Sequence, residues 1–127
     1  MPQSGLGVLL RQLREGRGLS LREVGQLCST DHAYVHRLET GEKEAPSSEV
    51  LSKLLRVLKA DERQSEMAKW LAEHAEADPA LVEYSLQDDS VSLEIFTVAA
   101  GVRHRGSTRP DPATLIARVK KAFEEYP

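Results

Sequence analysis

The sequence predicts an all-α protein: a five-helix head followed by a smaller helical C-terminal element. Three observations lead there. Apolar residues recur every three or four positions along most of the chain. Capping residues such as Ser20, Asp31, Ser47, Asp61 and Asp111 precede those stretches. Aromatic content is only 5%, so aliphatic helices must build the core.

Leu6, Leu9, Leu10 and Leu13 have helical spacing and define the first helix, which Gly16 and Gly18 can stop. Ser20 caps the second helix. Glu23, three residues on, can bond back to the Ser20 amide as a capping box. Leu21, Val24 and Cys28 then share one face. Ser29-Thr30-Asp31 breaks the pattern, and Asp31 can cap a third helix. In that helix Val35 and Leu38 point inward, leaving His32, Ala33, His36 and Arg37 outside. Residues 20–39 thus read as a helix-turn-helix, whose second helix offers its N-terminal polar side chains to base edges in a major groove.

Gly41 allows a sharp exit, and Lys43 is the one base in the loop that follows, suited to a phosphate. Ser47 caps the fourth helix, where Val50, Leu51, Leu54, Leu55 and Leu58 close the first core. Asp61 caps a fifth helix running to about Ala77, with Met67, Trp70 and Leu71 as its stripe. Asp78-Pro79 opens a new segment, Pro79 suiting the first turn of a helix. Residues 91–102 are a dense apolar run. Its β-branched residues allow a strand, while its length, Ala99-Ala100 and its helical surroundings favour a helix. A basic Gly/Ser/Pro loop at 103–110 follows, exposed enough in composition to attract a protease. Asp111-Pro112 starts a last helix bearing Leu115, Ile116, Val119 and Phe123.

With 127 residues the chain suits one small domain or two very small ones. The division expected is 1–77 for the head and 78–127 for a C-terminal dimerisation and regulatory element. Some fifty residues are few for an independent core, yet they are rich in apolar side chains. Pairing with a second copy resolves this, and Phe96, Leu115, Val119 and Phe123 are the residues expected to serve it. One cysteine excludes an internal disulfide and points to a reducing cytoplasm. No signal peptide or membrane-length apolar run is present, so no membrane partner is expected. The net charge is −3. Residues 1–60 hold nine Lys/Arg against seven Asp/Glu, net +2, and residues 61–127 hold eight against thirteen, net −5. The head is therefore permissive for nucleic acid without advertising it.

Residues 6–60 resemble the Cro/CI-type (XRE) helix-turn-helix family. The match runs through GLSLREVGQLCSTDHAYVHRLETGEKEAPSSEVLSKLLRVL, most typically at Arg37-Leu38-Glu39-Thr40-Gly41 and Pro46-Ser47. The resemblance implies a five-helix lambda-repressor-like DNA-binding domain. It implies a structural ion pair between Arg14 and Glu39 that leaves part of the guanidinium for a phosphate. It also implies that Cys28 is a small buried residue. One position departs: Leu21 stands where the family usually has a phosphate-touching Gln, and that contact is not carried over. The pattern Ala77-Asp78-Pro79-Ala80-Leu81, an apolar run, then Arg105-Gly106 and Arg109-Pro110 resembles the C-terminal domain of DdrO-type repressors. That resemblance implies helical dimerisation and cleavage by an ImmA/IrrE-type metallopeptidase.

The function expected is that of a sequence-specific, homodimeric, cytoplasmic repressor of transcription acting on palindromic double-stranded DNA. His32, Ala33, His36 and Arg37 are the expected base contacts. Arg37 suits guanine and Ala33 a thymine methyl. Arg14, Tyr34 and Lys43 are the expected phosphate contacts. The alternative is an antitoxin or protein-interaction module paired with a toxin or such a metallopeptidase. His32 and His36 have the i, i+4 spacing of metal ligands, but no third ligand lies near them in sequence, so no metal and no cofactor are expected. No nucleophile–base set points to an enzyme.

Overall fold

The computed structural model describes residues 3–43, 45–102 and 110–125. Those residues form eight helices and no strand: α1 (Gly5–Gly16), α2 (Leu21–Leu27), α3 (His32–Thr40), α4 (Ser48–Val57), α5 (Glu62–Glu73), α6 (Pro79–Gln87), α7 (Leu93–Gly101) and α8 (Pro112–Glu125). The all-α prediction is met, and the 91–102 run holds a helix, α7, and not a strand. The loop expected to be open to a protease lies, but for Pro110, outside the described residues.

Side-chain caps set the helix starts. Ser4, Ser20, Asp31, Ser47, Asp61, Asp78 and Ser92 each accept from a backbone amide two or three residues on. Asp111 does the same for the Thr114 amide at 2.7 Å. Ser20–Glu23 and Asp61–Gln64 are complete capping boxes. α5 stops at Glu73, short of the expected Ala77. There the His74 ring Nδ1 lies 2.7 Å from the Trp70 carbonyl, occupying an acceptor at the helix end. Asp78 must then be extended to cap α6 ahead of Pro79.

α1 is the pillar. It packs on α3, α5 and α6, and α8 packs on α6 and α7. Leu9, Leu54, Met67, Leu81, Val82 and Phe96 belong to one continuous core that crosses from the head into the C-terminal helices. Trp70 is the hinge of that continuity: His74 stacks on it at 3.8 Å and Phe96 meets it edge-on at 5.6 Å. Phe96, Leu115 and Val119 are buried within the chain itself, and of the four residues expected to serve dimerisation only Phe123 is partly exposed.

Two arginines tie elements together through backbone carbonyls. Arg17 Nε and Nη2 donate to the carbonyls of Leu58 and Lys59 at the end of α4, both at 3.1 Å. Arg63 Nη1 is directed at three carbonyls, of Ser85, Asp88 and Val91, at 3.0, 3.2 and 2.6 Å. It thereby holds the α6–α7 corner against α5.

Candidate nucleic-acid interface

α2 and α3 are set at their angle by one close approach. Gly25 in α2 is buried, and a methyl group built there would lie 2.8 Å from the Thr30 carbonyl oxygen and 3.1 Å from the His32 amide. The turn between the helices passes through Ser29 in the left-handed region, at φ 56°. Its geometry is closed by the Thr30 amide donating to the Gly25 carbonyl at 2.8 Å. Cys28 is buried beside this turn, and burial pushes its thiol pKa up, which suits packing and not redox chemistry.

Asp31 accepts from the Tyr34 amide at 2.7 Å, starting α3. Val35, Leu38 and Glu39 are buried, which turns the opposite face outward. His32, Ala33, His36 and Arg37 are all exposed, at positions i, i+1, i+4 and i+5 of one helical face. They form a continuous strip on the helix surface. Tyr34 is half-buried at its edge. Lys43 is exposed beyond the helix end, and its amide donates to the Arg37 carbonyl at 3.0 Å, so the loop folds back toward that strip.

Arg14 and Glu39 meet as a two-pronged pair. Nε donates to one carboxylate oxygen at 2.7 Å and Nη2 to the other at 3.0 Å. Nη1 donates to the Leu19 carbonyl at 3.0 Å. The hydrogen bonds that Arg14 donates to Glu39 raise its pKa further above its already high value, outweighing desolvation. Three of the five N–H donors of the guanidinium are thus engaged within the protein. Beside the pair, Arg11, Arg14, Leu21, His36, Glu39, Thr40 and Gln3 line a groove of about 430 Å³. Arg11 there is exposed and forms an exposed helical ion pair with Glu15 at 3.3 Å.

Sequence reading did not single out Arg11 for this groove, because an arginine on an exposed helical face is ordinarily solvated. Gly7 was also silent. A methyl on it would strike the Leu38 carbonyl oxygen at 2.7 Å and that of Glu39 nearer still, so α1 touches the end of α3 backbone to backbone. No spacing rule betrays a contact between helices distant in sequence. Among the described residues, no group of three or more potential ligands could hold a metal ion. No described helix is long and apolar enough to cross a membrane.

No curated protein matches the chain. Residues 5–70, more than half its length, match the family model described as a helix-turn-helix domain. That stretch spans α1 to most of α5 and includes the α3 strip and its supports, so the chain belongs to the helix-turn-helix domain family of DNA-binding proteins.

Proposed function

We propose that this protein is a sequence-specific transcriptional repressor that binds palindromic double-stranded DNA as a homodimer, with α3 in the major groove. The observation that carries the reading is the exposed strip His32–Ala33–His36–Arg37 on a helix whose other face is locked into the core. Arg37 donates a bidentate pair to guanine, Ala33 contacts a thymine methyl, and His32 and His36 address neighbouring base edges. Arg14, Tyr34 and Lys43 hold the phosphates, with Arg11 joining them at the groove rim. Residues 1–77 do the reading, and residues 78–127 join the two copies and carry regulation.

One head makes few contacts, whereas two heads on a dimer turn the second encounter into an intramolecular one. Half-sites should therefore lie about one helical turn apart, at roughly 10–10.5 base pairs centre to centre. Selection of binding sequences from a pool of randomised duplexes tests this. A palindrome with that spacing is expected. Recovery of no enriched sequence, with binding that depends on salt alone, would contradict sequence-specific reading.

A further inference from the structure

The start of α1, the end of α3 with the loop after it, and the end of α5 enclose a cavity of about 360 Å³. Leu6 of α1, Leu38 of α3, and Leu71 and Ala72 of α5 give it an apolar lining. Its polar side chains are few: Gln3, Ser4 and Lys43. A concave apolar site with a few placed polar groups is the form that binds small molecules. A protein partner would instead be met by large apolar side chains at the rim. The two exposed large hydrophobic residues among the described ones, Leu27 and Val98, belong to α2 and α7 and do not line this cavity. Its exposed lining residues are Gln3, Lys43, Ala45 and Ala75, all small or polar.

The polar groups say what chemistry the occupant carries. Lys43 is the charged side chain among the described residues that line the cavity. The Ser4 hydroxyl oxygen accepts from the Gly7 amide at 2.9 Å, which leaves its own proton to donate. One ammonium and one hydroxyl supply donors for the two oxygens of a carboxylate, and a single cation balances a single negative charge. A dianion such as a phosphate monoester would call for a second cation. We propose that this cavity binds a small carboxylate with an apolar tail, its head at Lys43 and Ser4 and its tail against Leu6, Leu38 and Leu71. The site bears on the helix offered to DNA. Gly41 ends α3 in the left-handed region at φ 82°, and the Lys43 amide donates to the Arg37 carbonyl at 3.0 Å. A Lys43 ammonium that holds a carboxylate is lost to a DNA phosphate, so the occupant acts as an inducer that releases DNA. This last step rests on the DNA reading above, whereas binding in the cavity does not.

Octanoate is the probe, titrated into the full chain and followed by the backbone amide signals in NMR spectra, with octanol as its uncharged counterpart. The signals of Leu6, Gly41 and Ala72 should shift and saturate with octanoate. Octanol should bind at least about tenfold more weakly, because it lacks the charge that Lys43 holds. Lys43→Met should bring octanoate down to the affinity of octanol. Ala75→Phe, at an exposed lining position, should fill the entrance and abolish binding of both, while far-UV circular dichroism checks that helicity is kept in each variant. Octanoate should weaken binding of the wild type to a selected duplex about fivefold or more and leave that of Ala75→Phe unaffected. Signals that do not move up to millimolar octanoate, octanol that binds as tightly, or binding that survives Ala75→Phe would overturn the site. Octanoate that binds as expected without weakening duplex binding would overturn the inducer role. Octanoate bound by a wild type that prefers no duplex would uphold the site and defeat the DNA reading instead.

Discussion

Arg14 and Glu39 stand 25 positions apart in the chain and meet through two parallel hydrogen bonds, the Glu39 side chain being 4% exposed and that of Arg14 15%. The pair fixes the distance between α1 and the reading helix. Removing one partner strands the other's charge in the interior. Arg14→Ala should cost about 3–5 kcal/mol of stability. The double replacement Arg14→Met with Glu39→Leu should recover much of that loss, because no buried charge remains. Denaturant unfolding checks both. A double variant as unstable as the single one would show that the pair does more than neutralise itself.

Gly7 and Gly16 lie in the same helix and should respond oppositely to alanine. At Gly7 the new methyl meets the carbonyls of Leu38 and Glu39, which are backbone and cannot swing aside. A cost of about 1–3 kcal/mol is expected, with α3 displaced. At Gly16 nothing lies within 4 Å. Gly16→Ala should stabilise by about 0.5–1 kcal/mol through helix propensity. Thermal melting of the two variants makes the comparison.

This contrast shows where the sequence was informative. Caps and periodicity act within a few residues, so the helices and the outward face of α3 could be read directly from Ser20, Asp31, Val35 and Leu38. Interactions with no local signature could not. The Arg63 side chain reaching the carbonyls of Ser85, Asp88 and Val91 leaves no trace in spacing, and neither does the Gly7 contact. Phe96, Leu115 and Val119 looked like an unpartnered stripe because their covering partners, among them Trp70 and the α6 helix, are remote in the chain. The Arg14–Glu39 pair came from the family resemblance and not from the spacing of the two residues.

Ser29 and Lys59 both adopt the left-handed conformation, at φ 56° and 52°, each just past the end of a helix. Side chains with a Cβ are strained there. Ser29→Gly and Lys59→Gly should each stabilise the fold by about 0.5–1 kcal/mol, the relief exceeding the entropy cost of glycine. Urea midpoints should rise for both. A fall at Ser29 would mean that its side chain makes a contribution beyond the turn.

Acid should loosen two helix-start contacts and the turn after α6 together. The Ser20 amide and hydroxyl hold the Glu23 carboxyl below its usual range. The Ser90 hydroxyl and amide do the same for Asp88, and the Thr114 hydroxyl and amide for Asp111. A depressed folded-state pKa gives stability that is complete above the ordinary carboxylate range. It is lost as pH falls through the lower folded-state values. Melting temperature should therefore decline on acidification through that window, and Glu23→Gln should flatten part of the decline. Equal slopes for the variant and the wild type would exclude Glu23 as a contributor.

Affinity of Arg37→Ala for a selected duplex and for a random one, each across a salt series, bears most directly on whether α3 reads DNA. Lys43→Ala serves as the comparison. Loss of Arg37 should cost about 1–3 kcal/mol on the selected duplex and leave binding to random DNA nearly unchanged. Loss of Lys43 should weaken both alike and flatten the salt dependence. Unchanged affinity of Arg37→Ala for both duplexes would contradict the placement of α3 in the major groove.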